Sequence, residues 1–245
     1  MSAISNVEEY KEVIKKIENN FFKSLYILNS EEIFFLNDFT EKIKKIIPED
    51  LKDLNQYVFY GNEIKADDIL LCAKKFPMMG NKQLIIVKNG NKILKEIDKI
   101  ISQKQSIPES TVLVICLDGV KINAKMKDLK INEEYGVIYD FKKIYDNKMP
   151  NWIKYLAQRS GFKIDFKTCE LIKERTGNNL SKVKIEFEKI SLNTQGTEIS
   201  SDLIVEHFGI NNDYNLFELQ NEIGKKNYHK VFLISDYFSK NSSYS

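Results

Sequence analysis

The sequence contains little cysteine, histidine, glycine or proline, and these scarcities exclude several classes of protein. It has 3 Cys and 2 His among 245 residues, with 10 Gly and 4 Pro. Cys72, Cys116 and Cys169 stand far apart in apolar stretches, form no Cys-x-x-Cys pair and have no His at ligand spacing. This pattern argues against a zinc site or a disulfide framework and favours buried free thiols in a reducing compartment.

The chain also lacks a strong charge and a long hydrophobic run. Its net charge is +2, so no basic field is available to hold a nucleic acid alone, and any DNA contact is expected to be local or shared with partners. The longest apolar run, residues 112–117, is far too short to span a membrane. The N-terminus, residues 1–20, is charged and helical in period and has no signal-peptide core, so a cytoplasmic protein is expected.

Short apolar segments alternate with amphipathic ones over the first 141 residues. Strands are predicted at residues 25–28, 56–60, 84–87, 111–116 and 137–141. Helices are predicted at residues 33–47, 66–75 and 92–102, with a weaker one near 121–129. Strands that are apolar along their whole length suit a sheet covered on both faces, so the alternation predicts an α/β fold with a mainly parallel sheet.

The remaining chain is predicted to be helical. Helices are expected at residues 151–159, 166–176, 180–192 and 200–208, and then at 216–223 and 228–237. These patterns divide the chain into an α/β domain (1–142), a small helical domain (143–209) and a third segment (210–245). The last two helices alone cannot close a core, so the third segment looks incomplete or in need of a partner.

The first strand is not followed by a phosphate-binding motif. A P-loop requires GxxxxGK[ST], whereas Asn29 and Ser30 lead here into Glu31 and Glu32, which suit the start of a helix and would repel ATP. Asp118 ends an apolar strand as a Walker B acid would, but it precedes a glycine and is predicted to be a turn residue. We therefore expect no cofactor, no metal site and no catalytic residues.

The connection before the third of these apolar strands, at residues 84–87, carries unusually many large apolar side chains. Pro77 prevents the preceding helix from continuing, and Phe76, Met78 and Met79 follow where a surface connection is expected. Two interpretations remain open from the pattern alone. The side chains fold back between helix and sheet, or they protrude as a flexible apolar contact for a partner.

At this segment the sequence resembles a known family. FPMMGNKQLIIV at residues 76–87 resembles the DNA polymerase III delta subunit family, particularly its Bacteroidetes-type members. Further blocks are LYILNSEE (25–32), STVLVI (110–115), GNNLSK (177–182) and DYNLFELQ (213–220). Each block is weak alone, but together they span nearly the whole chain in the expected order. One departure is Ser30, which stands where relatives typically have glycine.

The resemblance implies a noncatalytic clamp-loader subunit with a degenerate ATP site. Such a subunit binds and opens the sliding clamp (beta) alongside the delta prime and gamma/tau subunits of the polymerase holoenzyme, with DNA contacted weakly or only within the complex. Its clamp contact corresponds here to Met78 and Met79, with Phe76 and Pro77 beside them. The candidate steering charges around this contact are Lys74, Lys75 and Lys82.

The resemblance also implies an AAA+-like architecture: a parallel five-stranded sheet with flanking helices, a helical lid domain, and the start of a helical collar domain. The collar of relatives holds the pentamer together, and only its first helices are expected here, in a shortened version or a fragment. Clamp binding should survive that loss, whereas pentamer assembly is in doubt. Two alternatives remain, an active P-loop ATPase and a nucleic-acid-binding adaptor that uses Lys-rich helices, with Lys residues at positions 42, 44, 45, 121, 125 and 127.

Overall fold

The computed structural model describes residues 2–121, 135–193, 199 and 216–240. The chain divides into two compact units, Met1–Lys148 and Met149–Ser245. The predicted boundary between residues 209 and 210 lies outside the described residues, so the three-part division stays a prediction.

The first unit is built on a parallel sheet that has six strands, so the prediction of five was wrong. The strands are β1 (Ser2–Ile4), β2 (Leu25–Ser30), β3 (Gln56–Tyr60), β4 (Gln83–Lys88), β5 (Thr111–Asp118) and β6 (Gly136–Phe141). Their spatial order is β1-β6-β2-β5-β4-β3, and every neighbouring pair is parallel. The central strands β2, β4 and β5 are almost wholly buried, as their continuous apolar sequences predicted.

The missed strand, β1, lies at the edge of the sheet beside β6. It is three residues long, and its residues were assigned to a helical pattern beginning at the N-terminus. The helix instead begins at Val7, where the Asn6 side chain accepts a hydrogen bond from the backbone N–H of Glu9. Because so short a strand is stabilised by its pairing partner, local sequence carries almost no signal for it.

Helices cover both faces of the sheet. They are α1 (Val7–Glu18), α2 (Ile33–Ile43), α3 (Lys52–Asn55), α4 (Ala66–Ala73) and α5 (Ile97–Ser102). Short 3₁₀ turns occupy Lys44–Ile46, Glu49–Leu51, Gly90–Glu96, Lys104–Ser106 and Asp146–Lys148. The helix predicted at residues 92–102 is thus 3₁₀ in its first half, and the one predicted near 121–129 lies mostly outside the described residues.

The two faces of the sheet bury different kinds of side chain. Leu25 and Ile27 of β2 belong to a mainly aliphatic cluster with residues of α4 and α5. The intervening Tyr26 instead contacts the rings of Phe39 and Tyr139 in an aromatic cluster that also involves α1 and α2. This alternation along β2 places the two cores on opposite faces of the sheet.

The second unit is helical, as predicted. Its described helices are α6 (Met149–Arg159), α7 (Phe166–Thr176), α8 (Leu180–Asn193), α9 (Leu216–Gly224) and α10 (Tyr228–Lys240). The helix predicted at residues 200–208 lies outside the described residues. No helix in the described part of the chain combines the length and apolar content of a membrane span.

The three cysteines are free thiols, and two of them are buried as expected. Burial raises the pKa of Cys116 to about 12 and that of Cys169 to about 11. Cys72, on α4, is only half-buried, so the expectation that it is fully buried was wrong.

Candidate protein-binding site

The loop between α4 and β4, residues 74–82, is called the tip loop below. Phe76 is 76% exposed, Met78 58% and Met79 83%, while Pro77 is half-buried. The interpretation in which these three large side chains fold back into the core is therefore wrong. Three neighbouring exposed apolar side chains on one loop are unusual on a free protein surface and are typical of a contact site.

The backbone of the tip loop is fixed by one buried side chain, Asn55 at the end of α3. Asn55 is 1% exposed. Its Nδ2 donates to the carbonyl oxygen of Met78 at 2.7 Å, and the backbone N–H of Met78 donates to its Oδ1 at 2.7 Å. Next along the chain, Met79 has a left-handed backbone with φ of 54°. A Cβ at Gly80 would lie 3.2 Å from Asn55 Nδ2, so this close approach favours glycine.

A second buried amide, that of Gln83, fixes the end of the tip loop. Gln83 is 2% exposed and begins β4. Its Nε2 donates to the carbonyl oxygen of Lys75 at 2.7 Å and to Thr111 Oγ1 at 2.8 Å, and it lies 3.3 Å from the carbonyl oxygen of Cys72. The loop is therefore held from inside at both Met78 and Lys75.

Sequence reasoning missed both supporting amides, Asn55 and Gln83. Gln83 gives a partial signal, because a polar residue that opens an otherwise apolar strand needs a buried partner. Asn55 gives no such signal in the sequence, since its contact with Met78 joins positions 23 residues apart.

The three candidate steering charges lie at or beside the apolar side chains. Lys74 Nζ donates to Gln103 Oε1 at 2.7 Å, and Lys82 Nζ donates to the carbonyl oxygen of Glu109 at 2.7 Å. Because both acceptors are uncharged, these bonds leave the positive charges uncancelled. Lys75 is exposed. The tip loop thus presents an apolar centre beside basic groups.

The turn between β2 and α2, where a P-loop would stand, is closed by a polar network. Asn29 Nδ2 donates to the carbonyl oxygen of Val120 at 3.0 Å and to Asp140 Oδ1 at 2.8 Å, while the N–H of Val120 donates to Asn29 Oδ1 at 3.0 Å. Lys142 forms an ion pair with Asp140. These contacts tie together the chain at the carboxyl ends of β2, β5 and β6, the edge at which α/β proteins usually bind ligands.

Only two residues, Glu31 and Glu32, separate β2 from α2. Glu32 occupies the N-cap position, so the two glutamates stand at the start of a helix as predicted, although the Glu32 carboxylate makes no capping hydrogen bond. Its backbone N–H instead donates to Ser30 Oγ at 3.0 Å. Burial raises the pKa of the Glu32 carboxyl, Glu31 adds to the rise, and Lys143 opposes it. A half-buried carboxyl group here is unfavourable for an incoming phosphate.

A small cavity lies beside the start of α2. Its lining includes Ile33, Thr40, Lys88 and Asp118, and its volume is about 100 Å³. Sites for small molecules usually begin near 300 Å³. The backbone of Asp118 is held by Asn91, and Gly119 follows with φ of 58°, so Asp118 is the last residue of β5 and directly precedes a turn.

The fold places the chain in a class before any relative is considered. A parallel sheet covered by helices on both faces, in the order β6-β2-β5-β4-β3 with one added edge strand, followed by a helical unit, is the predicted AAA+-like α/β architecture. The Bacillus subtilis DNA clamp loader delta protein has the same fold, with a TM-score of 0.74 and 23% identity over 94% of this chain and 71% of that one.

Sequence comparison finds a family to which the chain is similar. The family model for "DNA polymerase III, delta subunit" matches residues 26–142, which include the tip loop. DNA polymerase III subunit delta of Bacillus subtilis is 24% identical over 223 residues, 86% of this chain and 64% of its own length. The probable subunit delta of Aquifex aeolicus is 20% identical over 230 residues, 86% of this chain and 63% of its own length. The chain is thus similar to DNA polymerase III delta subunits over most of its length, and it spans less than two thirds of the length of these two relatives.

Proposed function

We propose that this chain is a noncatalytic clamp-loader subunit that binds the sliding clamp (beta) through the tip loop and helps to open it during DNA replication. The observation that carries the proposal is the exposure of Phe76, Met78 and Met79 on a loop whose backbone is fixed from inside. Because the backbone of the loop is already fixed, binding has to order only the side chains, which lowers the entropic cost of the contact.

The chemistry of the tip loop suits an apolar pocket on the partner. Methionine side chains are unbranched and polarizable, so Met78 and Met79 can adapt to a pocket that is not perfectly complementary. A few such anchors typically supply most of the binding energy of an interface. Lys74, Lys75 and Lys82 would steer the loop toward an acidic rim and would raise the association rate more than the affinity.

We further propose that the chain neither binds nor hydrolyses ATP. The Asn29 network fills the edge of the sheet where phosphates would be held, and Glu31 and Glu32 put negative charge at the start of α2. Within a cytoplasmic complex, the delta prime and gamma/tau subunits would supply the ATP-driven rearrangement. This chain would convert it into clamp opening through contacts that differ between the closed and open ring.

The proposal is tested by titrating immobilised sliding clamp of the same organism with the purified chain. We expect saturable binding that persists at moderate salt, because the central contacts are apolar. Failure of the wild-type chain to bind the clamp would contradict the proposal. Tight, strongly salt-dependent binding to DNA instead would support the adaptor function.

The absence of ATP chemistry is tested separately. We expect the purified chain to release phosphate from ATP no faster than a buffer control, because the β2–α2 turn has neither the lysine nor the backbone cradle of a P-loop. The matched control is the Asp118→Asn variant, which removes the acid at the position that a Walker B residue would occupy. Phosphate release that is present in the wild type and lost in this variant would show an active ATPase.

A further inference from the structure

The backbone of the tip loop holds an unfavourable conformation at its most exposed residue. Met79 has φ of 54°, in the left-handed region that residues other than glycine, asparagine and aspartate rarely occupy. Such a conformation persists only where neighbouring contacts enforce it, and it is often found at binding sites. The contacts on the residue just before it therefore decide whether the loop keeps this shape.

Asn55 makes those contacts. Its amide both donates to and accepts from the backbone of Met78, at 2.7 Å in each direction. Because Asn55 is 1% exposed, water cannot easily replace either bond. Asn55 is the last residue of α3 and directly precedes β3, so the two hydrogen bonds connect the tip loop to regular structure.

We propose that Asn55 is a positioning residue, which holds Met78 and Met79 in their binding conformation before the clamp arrives. This inference rests on the proposed clamp-binding function of the tip loop. Asparagine suits the role because its short amide offers one donor group and one acceptor to the same peptide unit, whereas aspartate keeps only the acceptor and alanine keeps neither. Fixing the loop in advance lowers the ordering cost of binding and so strengthens it.

The first arm of the test needs no clamp. Hydrogen exchange at the Met78 amide is measured by NMR in the wild type, in Asn55→Ala and in Asn55→Asp. Because the Met78 N–H donates to Asn55 Oδ1, we expect exchange about tenfold faster in Asn55→Ala and slower exchange in Asn55→Asp than in Asn55→Ala. The amide of Ile85 in β4 reports on the global fold and should change little.

The second arm measures clamp affinity in a double-mutant cycle of Asn55→Ala with Met79→Asn. Asparagine tolerates the left-handed conformation, so Met79→Asn removes the apolar anchor and leaves the backbone shape. We expect Asn55→Ala to weaken binding about tenfold when Met79 is present and by less than about twofold when Met79→Asn has already removed the anchor. Val13→Ala, a core change in α1, should lower stability without altering clamp affinity.

The outcomes distinguish a failure of the positioning role of Asn55 from a failure of the proposed clamp-binding function. Unchanged exchange at Met78 in both Asn55 variants would overturn the positioning role, and so would equal losses of affinity with and without the Met79 anchor. If Asn55→Ala fails to fold, Asn55→Leu, which is close to asparagine in shape and also removes both hydrogen-bonding groups, replaces it in both arms. Should the wild-type chain not bind the clamp at all, the proposed function fails, and the exchange arm still decides whether Asn55 fixes the loop.

Discussion

Replacing both Met78 and Met79 with serine is expected to weaken binding to the sliding clamp by at least about 100-fold while the fold stays intact. Burying a methionine side chain contributes roughly 1.5–3 kcal/mol, so two anchors supply about 3–6 kcal/mol. At about 1.4 kcal/mol per tenfold, this corresponds to two to four orders of magnitude in the dissociation constant. Because both side chains are exposed in the free chain, their loss should cost little stability.

The measurement is a clamp titration of both proteins, with thermal unfolding followed by circular dichroism. The matched control is Phe21→Ser combined with Phe166→Ser, which removes two other exposed apolar side chains outside the tip loop. Its clamp affinity should equal that of the wild type. Wild-type affinity in the Met78 and Met79 double variant would remove the tip loop from the interface.

Gln83→Leu is expected to lower the free energy of unfolding by about 2–3 kcal/mol. Leucine is close to glutamine in volume, so most of the packing is kept, but the carbonyl oxygen of Lys75 and the buried hydroxyl of Thr111 lose the donor that they share. Leaving buried acceptors unsatisfied costs about 1–3 kcal/mol each when no water replaces the donor. Urea unfolding of the wild type and of Gln83→Leu measures the difference in the free energy of unfolding. The backbone amides near Lys75 should also exchange hydrogen faster in the variant.

The surface variant Gln105→Leu is the control for the change from glutamine to leucine. Gln105 is exposed, so its replacement should alter stability by less than about 0.5 kcal/mol. Equal stability of Gln83→Leu and the wild type would contradict the assignment of Gln83 as the internal support of the tip loop.

The sequence predicted correctly those strands whose hydrophobic pattern is complete within a few consecutive residues. β2, β4 and β5 were predicted correctly because a strand buried on both faces is apolar along its whole length. The edge strand β1 was missed, since three residues have no period and gain their order from β6. The first half of the helix predicted at residues 92–102 is part of a 3₁₀ turn, Gly90–Glu96. This turn begins with Gly90, which packs so closely against β5 that a Cβ there would lie 2.9 Å from the carbonyl oxygen of Cys116. That close packing against β5 is a tertiary effect.

The candidate site was likewise predictable from the sequence only in part. The three apolar residues Phe76, Met78 and Met79 are evident in the sequence, but their exposure depends on how the loop is held. That support comes from Asn55 and Gln83, through contacts with distant residues that no local pattern reveals. The resemblance to delta subunits located the loop, and the structure adds the side chains that fix it.

The most direct test of the central claim observes the methionine methyl groups themselves. The chain contains 5 Met, so methyl-labelled methionine gives a simple NMR spectrum that single substitutions can assign. On addition of deuterated sliding clamp, we expect the Met78 and Met79 methyl signals to shift and broaden as their environment becomes apolar and immobile. The signal of Met149, which is fully buried in the free chain, should keep its position. Signals of Met78 and Met79 that stay unchanged at saturating clamp would contradict the account.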